Sequence, residues 1–278
     1  MDPREIRIGH SPDPDDAFMF YALAHGKLDM AGLKFTHVIR DIETLNHLAV
    51  EGELEMTALS VHAYGYVMDK YALLTSGGSF GERCGPIVVA RKMMDVGELA
   101  DDRIAVPGTM TSAYLLLKLL LMHFRFEVVP FDRVMEAVKN GEVDAGLLIH
   151  EGQLTYEQMG LRKIVDLGEW WHADTGLPVP LGVNAVRKDL GKQLMRKIAE
   201  LFRASVIYGL EHRAEAIAYA KEFGRGMDTA MTDSFVQMYV NPLTQDMGLK
   251  GREAIALLLT RAYHAALVPR PVNLEFVE

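Results

Sequence analysis

Pro86-Ile-Val-Val-Ala-Arg-Lys92 and Pro180-Leu-Gly-Val-Asn-Ala-Val-Arg-Lys188 follow one plan: a proline, a short apolar run, then a basic end. Runs of this length between a proline and charged residues read as buried strands rather than helices. If these two strands are where the chain crosses between lobes, they bracket a middle lobe of residues 91–186. Residues 1–90 and 187–278 then form the other lobe. The expected class is α/β, with two lobes, two hinge-crossing strands and a ligand cleft between them that closes on a small molecule.

A weaker internal repeat supports two similarly built lobes. Gly52-Glu-Leu-Glu-Met-Thr-Ala-Leu-Ser60 can be set over Gly141-Glu-Val-Asp-Ala-Gly-Leu-Leu-Ile-His150. Each copy has a preceding helix, a Gly-Glu turn, an acidic residue and an apolar strand that ends on a polar side chain. In the first copy the helix opens at Asp41, a capping residue, and runs through Glu51 with Leu45, Leu48 and Ala49 at helical spacing. The tail from Leu190 is mostly helical by the same periodicity and is expected to pack on the outside of the first lobe.

Composition narrows the partner. With 278 residues, 49% hydrophobic and 24% charged, the chain has the make-up of a globular protein. Its formal charge of -9, without a Lys/Arg cluster, argues against nucleic acid. Cys84 is the single cysteine, which excludes an internal disulfide and a zinc cluster. No stretch is apolar enough to span a bilayer, and the N-terminus lacks the basic and apolar regions of a signal peptide, so the expected address is cytoplasmic. The dinucleotide, P-loop and serine-hydrolase glycine motifs are absent, so those three chemistries lack their usual marks.

Three segments are expected to face the cleft. Asp144-Ala-Gly-Leu-Leu-Ile-His150-Glu151 delivers an imidazole and a carboxylate to the polar end of a strand, where ligands of open α/β sheets bind. Ser11-Pro-Asp-Pro-Asp-Asp16 joins a first strand to a helix. Its three aspartates invite a metal, but Pro14 interrupts them and the calcium-loop spacing is missing, so no metal is expected. Thr111 and Ser112 precede the apolar helix that starts at Ala113, so they either donate to an anion at the helix N-terminus or simply cap it. Ser60 is either a donor from across the cleft or a strand-end turn residue. Trp170-Trp171 is either a stacking wall or lobe core.

Further segments carry a resemblance. They are Ser11 to Phe18, Asp41-Ile-Glu-Thr-Leu-Asn46, Ala58-Leu-Ser60, Ser76 to Arg91, Val106-Pro-Gly108 with Thr111 to Tyr114, Gly146 to Glu151, Thr155-Tyr156, Asp166-Leu-Gly-Glu-Trp-Trp171, Thr175 to Gly182 and Tyr239-Val-Asn241. In this order, over nearly the whole chain, they resemble the 1,4-dihydroxy-6-naphthoate synthases of the futalosine route to menaquinone. The resemblance implies a type II periplasmic-binding-protein-like fold and a cofactor-independent lyase. That lyase would convert cyclic dehypoxanthine futalosine to 1,4-dihydroxy-6-naphthoate.

The resemblance also implies site residues. His150 would be the general base, and the anionic substrate would be lined by Ser60, Val61, His62, Thr111 and Ser112 on one side. Ser11, Asp15, Asp16 and Asn46 would complete the pocket. The first loop departs from the family pattern Ser-Pro-Cys-Pro-Asn-Asp-Thr-Phe, with Asp13, Asp15 and Ala17 at its cysteine, asparagine and threonine. Two added carboxylates repel an anionic substrate unless they point away, bind a cation or meet a different ligand. Two alternatives stand beside the lyase: a non-catalytic binding protein for a small carboxylate or aromatic acid, and a related enzyme such as chorismate dehydratase.

Overall fold

A computed structural model describes residues 3–277. The chain begins β1 (Arg4–His10), α1 (Pro14–Ala24), β2 (Leu33–Ile39), α2 (Ile42–Glu51), β3 (Met56–Ser60), α3 (Val61–Val67), β4 (Tyr71–Leu74) and β5 (Ser79–Gly81). It then passes to β6 (Ile87–Ala90), β7 (Arg103–Val106), α4 (Ser112–Leu121), β8 (Arg125–Val128), α5 (Val134–Asn140), β9 (Ala145–Leu148), α6 (Gly152–Thr155), β10 (Arg162–Asp166) and α7 (Leu167–Thr175). It returns through β11 (Val179–Arg187) to the helical tail, α8 (Lys192–Glu211), α9 (Arg213–Ala220), α10 (Thr229–Tyr239), α11 (Pro242–Gln245) and α12 (Gly248–His264), and ends on β12 (Phe276–Val277).

Two sheets result. The larger has the order β12-β4-β11-β3-β1-β2, with β5 paired to β11, and the smaller has β10-β6-β9-β7-β8. Each contains the same unit: β2-β1-β3 in one and β8-β7-β9 in the other are all parallel, built from β-α-β-α-β segments. In each, the third strand of that unit is flanked by an antiparallel strand newly arrived from the other sheet's half of the chain, β11 beside β3 and β6 beside β9. The repeat seen in the sequence has a local cause. Gly52 and Gly141 end α2 and α5 in the left-handed region at φ 75° and 78°, a conformation that favours glycine. In both places the glutamate that follows donates its amide back into the helix, Glu53 to Leu48 and Glu142 to Ala137.

Sheet membership redraws the lobes. The boundaries at 90/91 and 186/187 differ from what the pairing shows, because β6 lies wholly in the smaller sheet and β11 wholly in the larger one. The crossings are therefore the connecting segments 82–86 and 176–178. The first packs tightly on the start of α7: a Cβ on Gly168 would stand 2.1 Å from the Cys84 carbonyl oxygen and 2.5 Å from the Gly85 nitrogen.

The helical tail covers the larger sheet. Phe18 and Phe20 of α1 are fully buried with Phe202 of α8, the rings of Phe20 and Phe202 lying 4.8 Å apart. Trp171 is fully buried, its indole N–H donating to the Pro178 carbonyl, so it is core. Neither tryptophan lines the cleft. Among the described residues no helix is long and apolar enough to cross a membrane.

Candidate functional site

The largest set of chemistry-bearing side chains meets where the two sheets face each other. The pocket there is lined by the first loop, the ends of β3 and β9, the start of α4 and the first half of β11, with Phe235 and Tyr239 of α10 closing one side.

His150 lies two residues beyond the end of β9 at Leu148 and is 8% exposed. Its Nδ1 lies 3.0 Å from Asp13 Oδ2, and its ring stands edge-on to Phe131 at 4.1 Å between centroids. Its Nε2 is buried without a hydrogen-bond partner, and the residue lines the pocket.

Asp13 stands at the N-cap of α1, with Pro14 at the first helical position, yet its side chain does not cap the helix. It turns instead toward His150 and Arg225. Its Oδ2 also accepts the Ser11 hydroxyl at 2.7 Å, and its Oδ1 accepts from Arg225 Nη2 at 3.1 Å. Burial pushes the Asp13 carboxyl up, but the charge and hydrogen bond of His150, the Arg225 guanidinium and the Ser11 hydroxyl outweigh it. Together they hold the carboxyl well below the usual carboxylate range. Arg225 continues to Glu151 Oε2 at 2.8 Å and to the Pro12 carbonyl at 3.0 Å, with its guanidinium 4.5 Å above the Phe131 ring. The atoms of Asp13, His150 and Glu151 lie close enough together to hold a metal ion, but the guanidinium already bridges both carboxylates.

The other two acidic residues of the loop behave differently. Asp16 accepts the Ser11 amide at 2.7 Å, and Asp15 accepts the Ser79 hydroxyl at 3.3 Å. Burial, then the charges of Asp16 and Asp13, push the Asp15 carboxyl up to about 8. Burial also raises Asp16, against the pull of the Ser11 hydrogen bonds. The repulsion expected from the first loop is thus largely removed. Asp13 is paired with the Arg225 guanidinium and hydrogen-bonded to His150, and Asp15 favours its uncharged form at neutral pH.

The opposite wall supplies donors. Ser60 lies 4% exposed at the end of β3, and Asn46 grips it from behind: the Ser60 amide donates to Asn46 Oδ1 at 2.9 Å and Asn46 Nδ2 donates to the Ser60 hydroxyl at 3.1 Å. Accepting there, the hydroxyl keeps its own proton for a ligand. Thr111 caps α4, accepting from the Tyr114 amide at 3.1 Å and donating to the Gly108 carbonyl at 3.0 Å. Ser112 donates to the Leu181 carbonyl at 2.6 Å and accepts the His62 amide at 3.3 Å. Both hydroxyls are engaged in structure. What α4 offers the pocket is its first amides, at Ser112 and Ala113, which have no partner inside the helix.

The structure brings Ser11, Asp15, Asp16, Ser60, Thr111, Ser112 and His150 to one pocket, and it keeps Asn46, Val61 and His62 out of the lining. Asn46 acts through Ser60. Val61 is core, and His62 faces a separate surface groove with Tyr66 and Tyr114. Three further participants carry no site assignment from the sequence. Asn184 of β11 lines the pocket with a buried Oδ1 that has no partner, and its signal is a lone polar residue in an apolar strand. Tyr239 donates to Gln153 at 2.7 Å, tying α10 to α6 across the cleft. Arg225 sits in the Gly224-Arg-Gly226 turn at φ 45°, a left-handed position that local periodicity does not reveal.

The lobes are closed over this site. Glu43 of α2 accepts the Met110 amide at 3.1 Å, Ser112 reaches β11, and Arg225 joins the first loop to Glu151.

With this geometry in place, known proteins are instructive. Over 270 residues the chain is 43% identical to a 1,4-dihydroxy-6-naphtoate synthase of Thermus thermophilus, covering 96% of this chain and 98% of that protein. The crystal structure of a protein from Archaeoglobus fulgidus, 46% identical, aligns with a TM-score of 0.91 over 95% of this chain and 98% of that one. A Candida albicans protein described as having the generic periplasmic binding protein fold aligns at 14% identity with a TM-score of 0.71, over 96% of this chain and 92% of that one. That likeness concerns the fold alone, which is periplasmic-binding-protein-like with two lobes about a cleft. Residues 6–264 match the family described as Menaquinone biosynthesis, and to that family the chain belongs.

Proposed function

We propose that this chain is a 1,4-dihydroxy-6-naphthoate synthase, a lyase that acts on cyclic dehypoxanthine futalosine with His150 as its general base. The observation that carries this reading is the His150 Nε2 atom, buried in the pocket without a partner while Nδ1 is held by Asp13. An imidazole fixed at one nitrogen and open at the other can take a proton from the sugar-derived part of the substrate. Bond cleavage and aromatisation then follow. A positioned base of this kind contributes about 10²–10⁴ in rate.

The anionic end of the substrate meets the Ser60 hydroxyl and the α4 amides, which offer donors and the positive end of a helix dipole. Asp15, largely uncharged, lines the same pocket and can donate rather than repel. Two lobes, joined at 82–86 and 176–178, enclose the reaction and exclude water from the intermediate. The chemistry is carried by the chain's own side chains, and a cytoplasmic address suits a biosynthetic enzyme of this kind.

Incubating the purified protein with cyclic dehypoxanthine futalosine and following dihydroxynaphthoate by mass tests the assignment. Product formed in proportion to enzyme is expected. A protein that binds the substrate, seen as a raised melting temperature, yet forms no product is a binding protein instead.

A further inference from the structure

We infer that Asp13 is the positioning residue of His150: through Nδ1 it fixes the imidazole in the tautomer that presents the Nε2 lone pair to the pocket. The inference rests on the reading of His150 as base and deepens it.

Four observations converge. Asp13 and His150 are both buried and lie 3.0 Å apart. Asp13 holds the N-cap position of α1 but leaves the cap unmade, so its direction is set by the site rather than by the helix. Its other partners, Ser11 on Oδ2 and Arg225 on Oδ1, both act as donors, which hold the group as an oriented carboxylate. A carboxylate is acceptor-only, so the hydrogen between Asp13 and His150 belongs to Nδ1, and Nε2 is left as the acceptor. Nε2 is the ring atom without a partner.

In the reaction a substrate C–H bond breaks, its proton goes to Nε2, and the electron pair stays with the substrate. The imidazolium so formed keeps its Nδ1–H on Asp13, which remains ionised and stabilises the new charge. The proton leaves Nε2 to product or solvent before the next turnover. This is the division of labour of a carboxylate-histidine pair in nucleophile activation, applied to proton abstraction.

Arg225 makes the pair sensitive to a single-atom change. A guanidinium only donates, so in Asp13→Asn the amide oxygen must turn to Arg225 and the NH2 group must face His150. Nδ1 would then accept, and Nε2 would carry the hydrogen. Side-chain shape is retained while the base is switched off.

The test uses nitrogen-15 shifts of histidine-labelled full-length protein, with the His150 signals found by their loss in His150→Gln. Wild type should show a protonated Nδ1 and an unprotonated Nε2, and Asp13→Asn the reverse. The variant should lose about 10²–10⁴ in kcat with KM changed by less than about threefold. An unprotonated Nδ1 in neutral wild-type His150 overturns the proposal without any variant. So does Asp13→Asn with wild-type kcat. If His150→Ala is inactive while Asp13→Asn is active, only the positioning role fails; if both are active, the base assignment has failed first.

Discussion

Arg225→Met removes the guanidinium that joins the two lobes at the site and leaves an apolar stem to lie against Phe131. Three hydrogen bonds are lost, to Asp13 at 3.1 Å, to the Pro12 carbonyl at 3.0 Å and to Glu151 at 2.8 Å. A hydrogen bond to a charged group contributes about 1.5–3 kcal/mol, and stranding a buried partner costs about 3–5 kcal/mol. The Arg225 side chain is 27% exposed, against 8% for Asp13 and 17% for Glu151, so water screens part of this. A net loss of about 2–4 kcal/mol follows, or about 3–7 °C in Tm for a chain of this size.

The effect has a pH signature. Because the Asp13 carboxyl is held below its ordinary value of 3.8, the stability it lends is present above that value and lost as pH falls through the folded one. Arg225 is one of the cations responsible. The gap between wild type and variant is therefore widest near neutral pH and narrows below about pH 4. Thermal unfolding followed by circular dichroism at pH 7 and at about pH 3 reads both numbers. A variant whose Tm lies within about 1 °C of wild type at pH 7 would refute the reasoning, because the bridge would then contribute nothing.

Other perturbations act on separate parts of the account. Asp15→Asn should gain on wild type as pH rises: the Asp15 carboxyl is raised to about 8, so its neutral form stabilises the fold fully below 3.8, and that contribution is lost as pH climbs through about 8. Melting curves at pH 5 and pH 9 should show the variant moving ahead by up to about 4 kcal/mol; equal pH slopes would contradict it. Asn46→Ala unmakes both bonds to Ser60 and should cost about 2–3 kcal/mol and raise KM without abolishing kcat, as steady-state kinetics will show. Gly168→Ala forces a Cβ to 2.1 Å from the Cys84 carbonyl and should cost more than about 3 kcal/mol or prevent folding, measured by urea unfolding of the expressed protein.

Much of the architecture could be read from local pattern. The turns at Gly52 and Gly141 are local structures, so the repeat they mark survives as two sheets with the same parallel unit. The capping of α2 by Asp41 is equally local, its carboxylate accepting the Thr44 amide three residues on. Partner choice in a sheet is not local. The runs beginning at Pro86 and Pro180 read as strands correctly, yet nothing in them says which sheet each joins, and both fall on the other side of the boundary drawn from sequence.

The site divides along the same line. That His150 lies just beyond a strand follows from its neighbours, whereas its pairing with Asp13 depends on two loops meeting from different lobes. Thr111 and Ser112 left open whether they bind or cap, because the answer depends on where each hydroxyl finds its partner in three dimensions. Three adjacent acids read as like charges in sequence. In the folded chain Asp13 is ion-paired and Asp15 favours its neutral form, a difference set by Arg225 and by burial.

The central claim is that His150 removes a proton from the substrate, and single-turnover measurement of dihydroxynaphthoate from cyclic dehypoxanthine futalosine by His150→Ala tests it most directly. A fall of at least about 100-fold in the chemical step is predicted, with substrate binding close to wild type. A His150→Ala protein that turns over at the wild-type rate would contradict it.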